Sequence, residues 1–315
     1  MVRDKRKNRK SNFLINTILI CLIVVSTGLS VFIGILNYKY KVPEKTNEMV
    51  KLNEKKDKYN EILLNNEELK KEHDKIENID ESTKELKEEV FKLASTLEKK
   101  IKNKETKYKI AYLTFDDGPY YATNKFLDVL KKYKVKGTFF TIGLDKDKCF
   151  DNQSKDCSTM YKKIVDNGHT IANHTYSHLI WRGLYSSANS FITQVQKQEK
   201  LIKDRTGVTT NIVRFPGGSG TANAFGLKTG ITKKLKEINY GWVDWTAQDG
   251  DGGDLRTKEQ ALSNFKKTID SDIEVVLMHD YSGITLSVLP TFIEYLQEKN
   301  YILLPLFYES VMVNK

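Results

Sequence analysis

Between about residues 109 and 306, strand-like and helix-like segments alternate along the chain, and this alternation limits the choice of fold more than any other feature. Short runs rich in β-branched and aromatic residues alternate with runs whose apolar residues have helical spacing. The predicted strands are 110–115, 137–142, 170–173, 212–215, 240–245, 274–278 and 302–305, and the predicted helices are 124–132, 158–166, 191–206, 258–269 and 289–298. The pattern favours a parallel α/β sheet or barrel, so we assign residues 109–315 to one α/β domain.

The N-terminal residues predict a membrane anchor. Residues 1–12 form a basic tail with about half of the net charge of +10, and residues 13–37 form an apolar run of about two dozen residues without a charge. At 1.5 Å per residue, a helix of that length spans the roughly 30 Å core of a bilayer. A cleavable signal peptide would have a shorter apolar region of about 7–15 residues. The basic tail predicts a single-pass protein of the cell membrane, with its N-terminus in the cytoplasm and the rest outside. It does not indicate nucleic-acid binding.

Residues 38–108 have the composition and spacing of a long helix. They are rich in Lys, Glu and Asn and contain no glycine. Their apolar residues recur at steps of 3, 4 or 7, as at Leu86, Val90, Leu93, Leu97 and Ile101. The pattern predicts a stalk that holds the α/β domain away from the membrane. The stalk is either a coiled coil that makes the protein a homo-oligomer or a single solvated helix.

Cys149 and Cys157 lie eight residues apart in a polar segment. In an oxidising compartment they could form a disulfide, and two free thiols are the alternative. No further Cys or His lies close to them in sequence, so they do not indicate a metal site.

The candidate functional residues follow predicted strands, at the edge where α/β barrels place their active sites. Asp116 and Asp117 end the first strand and precede Gly118-Pro119, which forces a turn. Because adjacent side chains leave a strand in opposite directions, one carboxylate can bind a metal while the other remains available as a base. An ordinary turn is the alternative interpretation of this segment.

His174 and His178 have the spacing that lets two imidazoles reach one cation. With Asp117 they form a set of two histidines and one carboxylate that leaves a position for water. Local packing would explain the pair if it stood alone. However, three of the five histidines in the chain follow strands at this edge, the third being His279, and this favours a metal site.

Arg214 and Asp251 are candidates for supporting roles. A guanidinium beside Asp116 would hold that carboxylate ionised. Asp251 lies in an acidic, glycine-rich loop whose spacing is not that of an EF-hand. A carboxylate beside His279 would raise the pKa of the imidazole and keep it protonated as an acid. Ordinary loop positions are the alternative for both residues.

Together these residues resemble the motifs of the polysaccharide deacetylases of carbohydrate esterase family 4, which share the NodB homology domain. The matching segments, in the order of the five family motifs, are 114–119, 174–178, 214–217, Asp251 and 277–279. The resemblance implies a distorted (β/α)7 barrel with a divalent metal, usually Zn²⁺, with Co²⁺, Mn²⁺, Ni²⁺ or Fe²⁺ as alternatives. The implied roles are metal ligand for Asp117, His174 and His178, general base for Asp116, orientation of the base for Arg214, general acid for His279, tuning of that acid for Asp251, and backbone oxyanion donor for Gly217.

Two positions depart from the family pattern. Gly217 stands where tyrosine is common, and Gly252 stands where tryptophan often follows the acidic residue. Glycine keeps its backbone N–H, so we expect the departures to change substrate preference more than activity. Trp181, Trp242 and Trp245 are candidates to supply the missing aromatic surface.

The resemblance further implies hydrolysis of N-acetyl groups from N-acetylglucosamine residues, with release of acetate. An anchored enzyme outside the membrane, on a stalk and without an evident separate sugar-binding module, is well placed to act on peptidoglycan. Alternative substrates are poly-N-acetylglucosamine, chitin-like chains and O-acetylated xylan. The alternative from another class is a catalytically silent glycan-binding or scaffold protein.

Overall fold

The structure is a computed structural model that describes residues 84–143, 148–149, 151–152 and 154–315. The predicted basic tail, the predicted transmembrane anchor and residues 38–83 of the predicted stalk lie outside the described residues. Within the described ranges, no helix combines the length and the apolar character that crossing a membrane requires.

Eight strands form one parallel sheet in the described part of the chain. They are β1 (Lys109–Asp116), β2 (Thr138–Thr141), β3 (Thr170–Asn173), β4 (Ile212–Val213), β5 (Gly241–Trp242), β6 (Ala247–Gln248), β7 (Ile273–His279) and β8 (Tyr301–Leu303). Their order is β5-β4-β3-β2-β1-β7-β6, and β8 pairs with the start of β1. Among the residues described, no pairing joins β5 to β6. The predicted α/β fold is confirmed: the described strands form a parallel half-barrel of the (β/α) type.

Eight α-helices lie in the described part of the chain, and some of them begin at polar capping residues. They are α1 (Lys84–Lys102), α2 (Thr123–Lys132), α3 (Met160–Asp166), α4 (Ala188–Thr206), α5 (Gly218–Ala224), α6 (Lys228–Glu237), α7 (Lys258–Thr268) and α8 (Gly283–Glu298). The Ser187 side chain accepts the N–H of Ser190 at the start of α4. Thr257 and Gln260 form a reciprocal capping box at the start of α7. Both arrangements satisfy backbone donors that have no partner within the helix.

Helices α5 and α6 and strand β6 have no counterpart among the predicted helices and strands. The α5 sequence is GSGTANA, and its two glycines have low helix propensity. β6 is only two residues long, which is too short to show the period-2 pattern of a strand.

Helix α1 packs into the core of the α/β domain. Leu93, Leu97 and Ile101 are buried in the same apolar cluster as Ile110 and Tyr112 of β1. These three residues belong to the seam that the sequence assigned to the stalk. In the described part of that seam, the apolar face of the helix therefore covers the sheet of its own domain.

A buried carboxylate adds polar contacts to this packing. Glu98 of α1 is buried and accepts a hydrogen bond from the hydroxyl of Tyr112 at 2.8 Å. It also accepts the hydroxyl of Ser310 and the backbone N–H of Val311, near the C-terminus. Because a buried carboxylate without such donors is costly, these bonds specify how α1 docks.

Cys149 and Cys157 form a disulfide in the segment between β2 and α3. The sequence left this pair open between a disulfide and two free thiols, and the structure selects the disulfide. Disulfides persist in oxidising compartments.

Strand register brings the chemical residues to one edge of the sheet. β1 and β7 pair along their length, which places Asp116 directly beside His279. The last residues of β3 and β4 also pair, and His174 and Arg214 come next on those two segments. The polar residues that end or directly follow four different strands therefore meet at the carboxyl edge of the sheet.

Candidate active site

The carboxyl ends of these strands open into a cavity of about 590 Å³. Six of the predicted site residues line it: Asp116, Asp117, His174, His178, Gly217 and His279. The other two, Arg214 and Asp251, are buried and hydrogen-bonded to Asp116 and His279. The structure thus brings together all eight residues that the sequence selected.

Asp117, His174 and His178 each present one potential ligand atom, and these atoms lie within 4.8 Å of one another. Asp117 Oδ1 is 3.4 Å from His174 Nε2 and 3.2 Å from His178 Nε2. This oxygen is buried and has no hydrogen-bond partner among the described residues, which is unfavourable unless another group compensates it. A divalent cation between the three side chains would do so, and imidazole and carboxylate are the ligands of catalytic zinc sites.

The environment of His174 fixes the nitrogen that it turns toward this cluster. Its Nδ1 is 2.9 Å from the backbone carbonyl of Arg214. Because a carbonyl only accepts hydrogen bonds, Nδ1 carries a hydrogen, and Nε2 is the nitrogen that bears the lone pair in the neutral ring. Metal-binding histidines are commonly oriented by such a bond. The donor set and its orientation therefore fit a metal site.

The backbone at Asp117 explains how two successive carboxylates face one cavity. Strand alternation would send Asp116 and Asp117 to opposite sides, yet both line the cavity. Asp117 has a φ of +69°, a left-handed conformation that costs a non-glycine residue about 1–3 kcal/mol. Burial alone would raise the pKa of Asp117, but the adjacent His174, His178 and His279 outweigh it and lower that pKa below its ordinary value. Asp117 is therefore ionised, as a metal ligand must be.

Arg214 holds one oxygen of Asp116. Its Nη1 donates to Asp116 Oδ1 at 2.8 Å and to the Thr114 hydroxyl at 2.7 Å. Its Nε donates to the carbonyl of Val243, and the guanidinium centre is 4.2 Å from the centroid of the Phe140 ring. Arg214 and Asp116 are both buried, so the ion pair is shielded from solvent and its geometry is fixed from several directions.

Asp251 holds His279 in an equivalent way. Asp251 Oδ1 is 2.7 Å from His279 Nδ1, and Oδ2 accepts the backbone N–H of His279 at 2.8 Å. Burial lowers the pKa of His279, but the hydrogen bond and charge of Asp251, with smaller contributions from Asp116 and Asp117, raise it to about 9. The imidazole is therefore protonated near neutral pH, with Nε2 left to face the cavity.

The local geometry accounts for both glycines that depart from the family pattern. Gly217 has a φ of +71°, a conformation that favours glycine over tyrosine. A Cβ at position 252 would lie 2.8 Å from Cε1 of His279, closer than real contacts allow. The left-handed backbone at Gly217 and the His279 ring beside Gly252 therefore each disfavour a larger side chain.

The three tryptophans have different environments. Trp245 lines the cavity, whereas Trp242 packs edge-on against Phe215 in the core. Trp181 is 82% exposed, and its ring lies 5.4 Å from that of Phe225. Trp245 and Trp181 are thus placed to offer aromatic surface to a ligand, and Trp242 is not.

The site also contains residues that sequence reasoning missed. Thr114 shares the Arg214 donor with Asp116, and Tyr281 lines the cavity. Asp249 and Thr285 lie in the hydrogen-bond network behind Asp251. Nothing in the sequence near Thr285 indicates this contact, because the partners are 34 and 36 positions away.

The arrangement can remove one proton and supply another beside a cation site. Asp116 is a fixed carboxylate, and His279 is a fixed imidazolium. Both adjoin the cluster of Asp117 and two histidines. Hydrolysis of an amide needs a base for water, an acid for the leaving nitrogen and stabilisation of an oxyanion. The site on this α/β fold is therefore suited to the hydrolysis of an amide.

Comparison with known proteins assigns the family. The family model described as polysaccharide deacetylase matches residues 103–233. YheN of Bacillus subtilis, whose name places it among the polysaccharide deacetylases, is 31% identical over 210 residues, covering 64% of this chain and 70% of that protein. The chain belongs to the polysaccharide deacetylase family. It is a hydrolase that acts on N-acetyl amide bonds.

Two further relatives carry peptidoglycan in their names. A peptidoglycan-N-acetylglucosamine deacetylase of Bacillus cereus is 29% identical over 214 residues, covering 65% of this chain and 71% of that protein. The crystal structure of the catalytic domain of peptidoglycan N-acetylglucosamine deacetylase from Eubacterium rectale has a TM-score of 0.59 and 31% identity, covering 66% of this chain and 92% of that chain. The match thus spans nearly all of the Eubacterium rectale catalytic domain.

Proposed function

We propose that this protein removes N-acetyl groups from the N-acetylglucosamine residues of peptidoglycan and releases acetate. The observation that carries the proposal is the placement of Asp116 and His279 beside the cluster of Asp117, His174 and His178. Asp116 Oδ2 is 3.7 Å from His174 Nε2, and His279 Nε2 is 3.8 Å from Asp117 Oδ2. A base and an acid therefore adjoin the same ligand cluster.

Asp117, His174 and His178 would hold the divalent cation. Zn²⁺ is our first choice because catalytic zinc sites use three protein ligands of these types and leave a position open. When bound, such an ion supplies an activated water and polarises the acetyl carbonyl. Asp117 contributes the negative charge, and the carbonyl contact of His174 presents Nε2 in the correct tautomer.

Asp116 acts as the general base. Arg214 occupies its Oδ1, so Oδ2 is the oxygen that takes the proton from the attacking water. The buried ion pair with Arg214 holds this carboxylate in position between turnovers. Proton transfer by a positioned group of this kind typically contributes about 10²–10⁴-fold to the rate.

His279 acts as the general acid. Its Nδ1–H is held by Asp251, so Nε2 delivers the proton to the nitrogen that leaves as an amine. The backbone N–H of Gly217, at the cavity wall, donates to the oxyanion of the tetrahedral intermediate. Water adds to the acetyl carbon, the carbon–nitrogen bond breaks, and acetate and a free amine are the products.

The choice of peptidoglycan rests on location and on relatives. The sequence predicts a cell-membrane anchor with the catalytic domain outside, and the Cys149–Cys157 disulfide agrees with an oxidising compartment. Two relatives have names that specify peptidoglycan. Oligomerisation through residues 38–83 remains a separate proposal from the sequence.

Acetate release from defined polymers tests the proposal. Full-length protein in detergent, loaded with Zn²⁺, would be assayed on peptidoglycan, N-acetylglucosamine oligomers, chitin and acetylated xylan. We expect release from peptidoglycan that a chelator and Asp116→Asn abolish. Faster release of acetate from another polymer would mean that this polymer, and not peptidoglycan, is the substrate. If the protein binds peptidoglycan but releases acetate from none of the polymers, the proposed deacetylase activity is refuted and a glycan-binding function is favoured.

A further inference from the structure

Two buried carboxylates share one hydroxyl behind the general acid. Asp249, Asp251 and Thr285 are all buried. Thr285 lies in the first turn of α8, and its backbone N–H is accepted by the side chain of the N-cap residue Ser282. The Thr285 hydroxyl oxygen is 2.7 Å from Asp249 Oδ2, 2.7 Å from Asp251 Oδ2 and 2.8 Å from the Ser282 hydroxyl oxygen.

The carboxyl groups of Asp249 and Asp251 cannot both be ionised in this arrangement. A threonine hydroxyl has one hydrogen to donate. If both carboxylates were ionised, one contact of 2.7 Å would join a negative oxygen to a hydroxyl lone pair with no proton between them. The contact with Ser282 does not alter this count, because that hydroxyl brings its own hydrogen. One of the two carboxyl groups therefore carries a proton.

Asp251 is the carboxylate with the larger number of hydrogen-bond donors around it. Its Oδ2 accepts the backbone N–H of His279 at 2.8 Å, and its Oδ1 pairs with Nδ1 of the same residue at 2.7 Å. With the hydroxyl of Thr285, Asp251 thus meets three donors. A carboxylate that accepts several hydrogen bonds and adjoins a cation favours its charged form.

Asp249 has the opposite environment. Its Oδ1 accepts one backbone N–H, that of Asp251, at 3.1 Å, and its Oδ2 meets the hydroxyl of Thr285. The charged groups that face it are Asp251 from the same loop and, beyond Asp251, His279 of β7. From α7, Asn264 donates to the backbone carbonyl of Asp249, and α8 contributes the hydroxyls. Burial, and then the negative charge of Asp251, raise the pKa of Asp249.

We propose that Asp249 is a positioning residue that stays protonated and donates its Oδ2 hydrogen to Thr285. The Thr285 hydroxyl then donates to Asp251, and Asp251 in turn orients His279. This inference rests on the proposed function, because it describes how the general acid of that reaction is held. No proton leaves the network, since each hydrogen stays on its donor and fixes the direction of the next bond.

Matched variants separate this arrangement from a merely structural one. In Asp249→Asn the amide nitrogen donates to Thr285 and the amide oxygen accepts the N–H of Asp251, so the neutral pattern is kept. Asp249→Ala removes the donor. At the second position, Thr285→Ser keeps the relay hydroxyl and Thr285→Val removes it at nearly constant shape.

Kinetics of the Zn²⁺-loaded full-length enzyme give the first readout. We expect Asp249→Ala and Thr285→Val each to lower kcat about tenfold or more, the effect of at least one net hydrogen bond, with KM nearly unchanged. Asp249→Asn and Thr285→Ser should recover kcat to within about threefold. Asp249→Asn as slow as Asp249→Ala would show that a charged carboxylate is required. An unchanged Asp249→Ala would show that the residue does not act on His279.

Infrared spectroscopy gives a readout that needs no substrate. Wild-type protein near neutral pH should show the carbonyl stretch of a buried carboxylic acid that Asp249→Asn lacks. Asp280 is a second buried acid with a raised pKa, so the difference between the two proteins isolates the band of Asp249. If that band is absent, the inference is wrong even if the enzyme releases acetate. If the band is present and no acetate is released, the protonated Asp249 stands and the proposed function fails.

Discussion

Leu97→Ala in full-length protein tests whether helix α1 belongs to the catalytic domain. Leu97 is 1% exposed and lies in the apolar cluster that includes Ile110 and Tyr112 of β1. Truncation of a buried leucine leaves a cavity and typically costs about 2–5 kcal/mol. A value near 3 kcal/mol would be a large share of the roughly 5–15 kcal/mol that stabilises a typical protein.

Thermal unfolding converts this cost into a measurable shift. For a domain of about 150–250 residues, each kcal/mol changes the Tm by about 2–4 °C. We therefore expect Leu97→Ala to lower the Tm by about 6–12 °C. The matched control is Lys99→Ala on the exposed side of the same helix, which should change stability by no more than about 0.5 kcal/mol.

The two variants should differ in stability and agree in activity below the transition. Leu97 lies in the same cluster as Ile110, near the start of β1. Asp116 is six residues beyond Ile110 on this strand, which is about 20 Å at 3.3 Å per residue. The chemistry should therefore be unaffected while the protein is folded. Equal Tm values for Leu97→Ala and Lys99→Ala would refute the docking of α1 and return this helix to the stalk.

Three further outcomes follow from the site. Asp251 raises the pKa of His279 to about 9, and His279 acts as an acid only while protonated, so kcat should fall as the pH rises through that value. In Asp251→Asn the burial of His279 still lowers its pKa, but the charge of Asp251 that opposes this effect is gone. The alkaline limb of the pH–kcat profile should therefore move toward neutral pH. His174→Ala should lose bound metal and activity together, whereas Asp116→Asn should keep the metal, as measured by elemental analysis, and lose about 10²-fold or more in kcat. Trp181→Ala should raise KM for long N-acetylglucosamine oligomers but not for short ones, with an unchanged Tm, because the ring is 82% exposed; equal effects at all lengths would contradict a role in binding the chain.

Sequence patterns predict the sheet well because its central strands are long or bounded by clear turns. The run 110–115 corresponds to β1, and 170–173 has the same bounds as β3. The site residues could be found because they directly follow such runs, where parallel strands bring their ends together. Motif order then supplied their roles, which composition alone could not.

Contacts between distant segments were beyond prediction. Thr285 meets Asp249 and Asp251 through a loop and a helix start that are far apart in sequence, and a single threonine has no pattern that indicates a partner. The apolar face of α1 has the spacing of a coiled-coil seam, because a helix that covers a sheet and a helix that pairs with another both repeat about every 3.6 residues. Periodicity identifies the buried face but not the surface that buries it.

Asp116 and Asp117 show how partners, not residue type, divide the chemistry of this site. The two side chains are chemically identical and adjacent in sequence. Arg214 takes one oxygen of Asp116 and leaves the other beside the ligand cluster. Asp117 turns away from the strand at a φ of +69° and presents Oδ1 to two imidazole nitrogens. For Asp117 to become the base, the backbone after β1 would have to turn differently and the guanidinium of Arg214 would have to move. The backbone turn and the position of Arg214 therefore together decide which carboxylate is the base.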